Sequence, residues 1–267
     1  MVDFQVSYQL TDNDLAAFQQ DGYFVVENLL DAEETELLAK IARADQQLTE
    51  QASARADGEG GAIELLVENE LGDDIYSAIV RSERVASTME RLLGDEVYHY
   101  HHKMILKGPR TGGAWAWHQD YGYWYHNGCL RPTMASCLIA VDKATRENGC
   151  LQVVPGSHHL GRIEHGKVGD QTGADPEHVE TILERMGRIY VELAAGSAVF
   201  FHSNLLHRSD QNKSEHPRWA FICCYNTKGN DPYKESRHPR YSPLEICNNA
   251  RVLDIGCRQW QSMQSTV

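Results

Sequence analysis

The sequence lacks any hydrophobic run long enough to cross a membrane. A membrane-spanning helix needs about 18 or more consecutive apolar residues, whereas the apolar run 220–225 has only the length of a β-strand. The first residues are acidic and have neither the basic region nor the apolar segment of a secretory signal peptide. We therefore expect a cytoplasmic protein that has no membrane partner.

Positive charge is also scarce in this chain. Its 267 residues include 25 lysines and arginines but 38 aspartates and glutamates, which gives a formal net charge of −13. A surface of this sign repels phosphate backbones and anionic lipids, so nucleic acid is not expected as a partner. The oligomeric state is left open by these numbers.

The cysteines follow neither a disulfide pattern nor a zinc pattern. There are seven of them, an odd number, and no two are spaced as Cys-x-x-Cys. A disulfide framework or a thiolate zinc site would show paired or closely spaced cysteines. We expect reduced and mostly buried thiols in a globular protein, which agrees with a composition of 42% hydrophobic and 24% charged residues.

The first third of the chain has helical patterns. Thr11 followed by Asp14 predicts the start of a helix that Gly22 ends, and residues 23–26 read as a short strand. A second helix is expected from Asp31 and a third over 82–93. We interpret the chain as one domain, 1–267, with a helix-rich lead-in (1–95), a β-rich core (96–230) and a C-terminal extension (231–267).

From residue 97 onward the pattern changes to short β-rich runs separated by turn residues. Several short strands after a helical segment favour an antiparallel sandwich or barrel, so the fold class is mostly β with flanking helices. Two stretches are expected to be loops, because 50–61 is small, polar and glycine-rich and 164–180 has low hydrophobicity.

The segment His118-Gln119-Asp120 is the first candidate for chemistry. On an extended backbone residues i and i+2 face the same side, which places an imidazole and a carboxylate together. His207, which follows the strand-like segment 196–201, offers a third ligand. Two histidines and one carboxylate leave positions open on an octahedral ion, the arrangement of non-haem iron(II) oxygenases. The adjacent His101 and His102 would point to opposite faces of a strand and cannot share one ion.

Two basic residues are candidates for binding a carboxylate. Arg218 lies eleven residues after His207, and its planar guanidinium can pair with a dicarboxylate by two hydrogen bonds. The alternative is a surface arginine that follows the turn at Pro217. Lys107, eleven residues before His118, could donate to a carboxylate, or it could be a solvated lysine at a strand end.

Aromatic residues follow the carboxylate directly. If the strand stays extended, Tyr121 and Tyr123 face one way, and Trp124 faces with Asp120. We interpret these three aromatic residues as the substrate wall, with Trp124 the strongest candidate, although such a run can also be core packing. In an acidic protein an aromatic wall favours a cationic or zwitterionic substrate, and an apolar substrate would also fit.

Taken together, the motifs resemble those of the phytanoyl-CoA dioxygenase family of iron(II)- and 2-oxoglutarate-dependent oxygenases. The resemblance covers most of the chain and rests on four segments in the family's order. These are LTDNDLAAFQQDGYFVVENLL (10–30), HQD (118–120), NGCLQVVPGSH (148–158) and HRS (207–209) followed by Arg218. The resemblance implies a double-stranded β-helix, a cupin-like jelly roll of two sheets.

The resemblance also implies a site and an activity. His118, Asp120 and His207 would bind iron, and Arg218 with help from Ser209 would hold the distal carboxylate of 2-oxoglutarate. The expected reaction is hydroxylation of a C–H bond of a small-molecule metabolite, with release of succinate and carbon dioxide. The implied cofactors are iron(II), 2-oxoglutarate and dioxygen, with ascorbate as an optional addition.

Three alternatives to hydroxylation stay open at this point. Desaturation or epimerisation could occur at the same iron, and a catalytically silent jelly roll could keep the fold for ligand binding. A halogenase would replace the carboxylate ligand by halide, which the presence of Asp120 argues against. The sequence does not identify the substrate.

Overall fold

The computed structural model describes residues 8–57, 60–168 and 171–265. The helices are α1 Asp12–Asp21, α2 Ala32–Ala44, α3 Gln46–Gln51, α4 Ile75–Arg81, α5 Glu83–Leu93, α6 Asp120–Trp124, α7 Pro176–Met186 and α8 Arg251–Ser265. The strands are β1 Tyr23–Val26, β2 Ser53–Ala56, β3 Ala62–Glu68, β4 Val97–Lys107, β5 Trp115–His118, β6 Met134–Ala140, β7 Leu151–Val153, β8 His165–Val168, β9 Gln171–Ala174, β10 Ile189–Val191, β11 Ala198–His202, β12 His207–Ser209 and β13 Arg218–Thr227.

Two antiparallel sheets form the body of the protein. The larger has the order β1-β11-β6-β13-β4-β3-β2 and the smaller β10-β7-β12-β5, while β8 and β9 form a separate hairpin. Buried residues of both sheets, such as Leu138 of β6 and Val153 of β7, belong to one hydrophobic cluster. A second cluster joins the large sheet to the helices. The prediction of a mostly β fold with flanking helices is confirmed.

Local sequence signals account for the first helices. The Thr11 hydroxyl accepts the Asp14 N–H, the Asp14 carboxylate accepts the Thr11 N–H, and Gly22 ends α1 at φ 81°. This capping box satisfies two otherwise unpaired backbone donors. Asp31 and Glu34 form the same reciprocal pair at the start of α2. The sequence predictions of these two helices are confirmed.

Both expected loops contain regular structure. Segment 164–180 holds β8, β9 and the start of α7, and segment 50–61 holds β2 on the edge of the large sheet. Residues 58–59 and 169–170 lie outside the described part. The expectation of two loops is therefore wrong. The strands have no clear sequence signal, because all four residues of β2 are exposed and the β8–β9 hairpin is largely polar. Neither therefore has the alternating apolar pattern that marks a strand.

The segment 1–95 does more than precede the core, since it supplies β1, β2 and β3 to the large sheet. The division of the chain at residues 95 and 230 therefore stays a prediction about sequence patterns. In the described ranges, no helix is long and apolar enough to cross a membrane.

Several histidines are buried in this fold, which makes stability depend on pH. Burial lowers the pKa of His99 and of His202 to about 3, and that of His102 and of His238 to about 4. An unfolded chain has histidines with a pKa near 6.5, so below about pH 6.5 it binds more protons than the native state. The native state therefore loses stability as the pH falls.

We expect the free energy of unfolding of the metal-free protein to decrease between pH 7 and pH 5. Each such histidine adds a slope of about 1.4 kcal/mol per pH unit below its unfolded pKa. Urea unfolding at several pH values measures this slope. His202→Gln should reduce the slope by about 1.4 kcal/mol per pH unit, which is the contribution of one proton. A free energy of unfolding that is the same at pH 7 and pH 5 would contradict the prediction.

Candidate active site

His118 and His207 are brought together by strand pairing. Strand β5 ends at His118, and β12 pairs with it so that His207 lies directly opposite. The centroids of the two imidazole rings are 4.1 Å apart, and both residues are buried. Strand β7 pairs with the other edge of β12, and its residue Val153 lies opposite His207.

Asp120 joins the two histidines through one extended residue. Gln119 has φ −113° and ψ 135°, so His118 and Asp120 project to the same side, and His118 Nε2 lies 3.9 Å from Asp120 Oδ1. The side-chain amide of Gln119 points away from this pair and donates to the carbonyls of Gly161 and Asn204. One candidate ligand atom from each of the three residues lies within 4.8 Å of the other two.

The protonation of this cluster suits a metal ion. His118 Nδ1 lies 2.8 Å from the Ala116 carbonyl and His207 Nδ1 lies 2.9 Å from the Leu205 carbonyl. A carbonyl can only accept, so each Nδ1 carries the hydrogen and each Nε2 keeps a lone pair. Burial, chiefly, lowers the pKa of both histidines below the usual value, which favours the neutral ligand form.

The carboxylate of the cluster is held in its charged form. Burial alone would raise the pKa of Asp120, but the charge of the nearby Lys103 and the hydrogen bond from Ser136 act in the opposite direction, and the pKa is lowered. The Ser136 hydroxyl donates to Asp120 Oδ2 at 3.0 Å. Two neutral imidazoles and one carboxylate are the donor set that non-haem iron(II) uses.

Arg218 is a buried cation. It begins β13 opposite Lys107 of β4, it is 5% exposed, and it donates to the Gly149 carbonyl. Its Nε has no hydrogen-bond partner, and in the part of the chain described no carboxylate forms an ion pair with it.

The burial of Arg218 points to an anionic ligand. Burial lowers its pKa to about 10, so it stays charged at neutral pH. The alternative of a surface arginine is therefore wrong. A buried charge without a counter-ion costs about 3–5 kcal/mol, and a bound anion would offset this cost.

Lys107 lies next to Ser209, in the interior of the protein. Its side chain is fully buried, and its Nζ donates to Ser209 Oγ at 2.9 Å and to the Asp210 carbonyl. The alternative of a solvated lysine is wrong. Ser209 and Arg218 line the cavity, whereas Lys107 lies outside its lining.

The cavity that contains these residues has a volume of about 550 Å³. Tyr123 and Trp124 line it, but Tyr121 does not, because the Tyr121 hydroxyl donates to the Cys129 carbonyl inside the core. The assumption of an extended strand after Asp120 is wrong, since α6 begins at that residue. On a helix residues i, i+3 and i+4 share a face, which places Tyr123 and Trp124 with Asp120.

Several lining residues were not among the sequence candidates. His101, Lys103 and Ile105 are spaced by two along β4, and all three line the cavity. Because alternate residues of a strand face the same side, this spacing was a signal that the sequence offered. Arg237 and His238 also line it. They lie after β13 in a segment without helix or strand, where no periodicity signals a role.

The chain is similar to a family model and to curated proteins. The family model for phytanoyl-CoA dioxygenase (PhyH) matches residues 18–220. L-proline trans-4-hydroxylase of Streptomyces griseoviridis is 34% identical over 183 residues, which covers 62% of this chain and 68% of the relative. Ectoine dioxygenase of Stutzerimonas stutzeri is 29% identical over 269 residues, covering 91% and 86%.

Solved structures give the same fold. A crystal structure of EctD from S. alaskensis with 2-oxoglutarate and 5-hydroxyectoine superimposes with a TM-score of 0.76 at 24% identity, covering 90% of this chain and 88% of that one. The predicted jelly roll is therefore confirmed, and the prediction of a dioxygenase agrees with the names of the curated relatives. The family resemblance seen in the sequence is confirmed as well, and the chain belongs to the phytanoyl-CoA dioxygenase family.

Proposed function

We propose that this protein is an iron(II)- and 2-oxoglutarate-dependent hydroxylase of a small-molecule metabolite. The reaction consumes the metabolite, 2-oxoglutarate and dioxygen, and it yields the hydroxylated metabolite, succinate and carbon dioxide. The observation that carries the proposal is the convergence in one cavity of a buried His-Asp-His cluster and a buried Arg218 that has no acidic partner in the described ranges. Curated relatives named as a hydroxylase and a dioxygenase support it.

The residues have separate tasks in this proposal. His118, Asp120 and His207 would hold iron(II), which when bound supplies the activation of dioxygen and the oxidation of the C–H bond. Arg218 and Ser209 would hold the distal carboxylate of 2-oxoglutarate by charge-assisted hydrogen bonds. Iron(II), 2-oxoglutarate and dioxygen are thus the proposed cofactors, and ascorbate an optional addition.

Backbone carbonyls and neighbouring side chains would hold the metal ligands and the co-substrate residues in position. The carbonyls that accept from each histidine Nδ1 fix the ring orientation, and the Ser136 hydroxyl fixes the Asp120 carboxylate. Lys107 is a positioning residue, because its contact with Ser209 orders the hydroxyl beside Arg218. Tyr123 and Trp124 would form the substrate wall, while Tyr121 belongs to the core.

We further propose that the chain acts as a single domain in the cytoplasm. All seven cysteines are free, which suits a reducing compartment. A silent binding protein would not need three ligating residues with matched protonation. Desaturation and epimerisation use the same residues, so product analysis has to separate them from hydroxylation.

The test is a screen of the anaerobically iron-loaded protein against a metabolite library, with succinate release as the readout and mass spectrometry of the products. Hydroxylation adds one oxygen atom to the product, desaturation removes two hydrogen atoms, and epimerisation leaves the mass unchanged. Absence of succinate release above that of metal-free protein, with and without every library member, would reject the proposal.

Trp124→Ala provides a test of the substrate wall. Trp124 packs edge-on against Tyr100 and His101 with ring centroids 5.4 and 5.8 Å away. Its loss should let the substrate move, which lowers coupled turnover by about tenfold to a hundredfold, while slow succinate release without substrate persists. Trp260→Ala on α8, outside the cavity, is the control. Unchanged coupled turnover in Trp124→Ala would make this residue part of the core only.

A further inference from the structure

We propose that the substrate is an anion whose carboxylate or phosphate is bound between Lys103 and Arg237, beside His101 and His238. This inference rests on the proposed function and specifies the substrate class of the same cavity. It differs from the expectation of a cationic or zwitterionic substrate, or of an apolar one, that the aromatic wall of an acidic protein gave.

The lining of the cavity has the opposite sign to the protein as a whole. The chain has a net charge of −13, yet among the described residues the lining contains five cationic residues and a single acidic residue, Asp120, which belongs to the metal cluster. The five are Arg55, Lys103, Arg208, Arg218 and Arg237. A concentration of one charge in a cavity attracts ligands of the other sign.

Two of these cations are already accounted for. Arg208 forms an ion pair with Asp210 at 2.5 Å, and Arg218 is assigned to 2-oxoglutarate. Iron(II), the Asp120 carboxylate and the 2-oxoglutarate dianion sum to one negative charge, which Arg218 balances. In the described ranges Arg55, Lys103 and Arg237 form no ion pair, so the loaded cavity keeps a positive excess.

Lys103 and Arg237 face the same part of the cavity. Lys103 is half-buried on β4, between His101 and Ile105, which also line the cavity. The His238 ring, next in the chain to Arg237, lies against the His101 ring with centroids 4.9 Å apart. His101 and Lys103 are two residues apart on β4 and so share one face of the strand, and all four residues line the cavity.

His101 adds a buried polar atom that lacks a partner. The residue is 4% exposed, it lines the cavity, and its Nδ1 has no hydrogen bond. Buried polar atoms in folded proteins are almost always paired, and an exception calls for an explanation such as a ligand. An imidazole N–H and two cations around one recess are suited to the oxygens of a carboxylate or phosphate.

The test uses matched pairs of compounds that differ in one anionic group. L-glutamate with L-glutamine, L-aspartate with L-asparagine, and glycerol 3-phosphate with glycerol form the pairs, and agmatine and choline represent cations. Succinate release by the iron-loaded protein is measured at saturating 2-oxoglutarate. We expect stimulation by anionic members above their neutral partners, and the pairs separate carboxylate from phosphate recognition.

Two variants connect this preference to the proposed residues. Lys103→Met and Arg237→Gln should each lower kcat/KM for the best anionic compound by at least about tenfold, while in Arg237→Gln the Michaelis constant for the co-substrate changes no more than twofold. Because Arg237 is exposed, its replacement does not threaten folding. Lys143→Met, an exposed lysine outside the cavity, is the control.

The proposal is overturned if neutral or cationic members stimulate as well as the anionic ones, or if no anionic member stimulates a protein that releases succinate. It is also overturned if Lys103→Met raises the Michaelis constant for the co-substrate and leaves the preference for anions, since Lys103 would then serve 2-oxoglutarate. Failure of the proposed function looks different, because the wild-type protein would then release no succinate above His207→Ala.

Discussion

Replacing His207 by alanine is expected to abolish iron(II) binding and with it all succinate release. His207 supplies one of two neutral imidazoles in a buried cluster in which the candidate ligand atoms lie within 4.8 Å of one another. Groups that merely orient metal ligands are worth about 10–100-fold in affinity, so loss of a ligand should weaken iron binding by more than about a hundredfold. Anaerobic titration with iron(II), followed by desalting and metal analysis, measures the loss.

Two other histidines serve as controls for this experiment. His178 is exposed on α7, and His102 is buried, lies outside the cavity lining and contacts His99. Alanine at either position should leave the iron content at the wild-type level, whatever its effect on stability. Full iron occupancy in His207→Ala would show that the metal site has been placed wrongly.

Arg218→Ala should raise the Michaelis constant for 2-oxoglutarate by at least tenfold while iron(II) still binds. The guanidinium is buried, has no acidic partner in the described ranges, and lines the cavity beside Ser209. Its removal leaves a desolvated ligand carboxylate unpaired, which costs about 2–5 kcal/mol. Steady-state kinetics with varied 2-oxoglutarate measures the change, and Arg218→Lys should recover only part of the affinity because a lysine cannot form the bidentate pair.

Arg110→Ala is the matched control, because this arginine is exposed and pairs with Glu215 at the surface. Its Michaelis constant for 2-oxoglutarate should equal that of the wild type. If Arg218→Ala also left this constant unchanged, a different basic residue would hold the co-substrate. Lys103, which lines the same cavity, would be the next candidate.

Where a prediction needed only a few neighbouring residues, the sequence was sufficient. The capping pair of Thr11 and Asp14 depends on one turn of backbone and is present as expected. The approach of His118 and Asp120 needs only Gln119 to be extended, and it is. The motifs that carry the family resemblance are equally local, and they predict the fold correctly.

Where a prediction assumed that a local pattern continues, it failed. Trp124 was placed beside Asp120 by strand alternation, and it does line the cavity, but for a different reason. The chain leaves the strand at Asp120, where the Tyr121 N–H donates to the Ser203 carbonyl at 2.9 Å and α6 begins. That bond comes from a residue 82 positions away, so no local window contains it, and sequence alternation could not show that Tyr121 enters the core.

Charge and burial at the site were decided by the tertiary structure. By itself the sequence determined the chemistry available, which is a His-x-Asp pair, a later histidine and a following arginine, and it determined the caps of the first helices. Strand register then placed His207 opposite His118 and Lys107 opposite Arg218. The fold also brought Lys103 and Arg237 to one cavity in a protein of net charge −13. The physical reason is that the local electrostatic potential depends on which charges lie within a few ångströms of one another, and distances across a sheet follow from pairing and not from position in the chain.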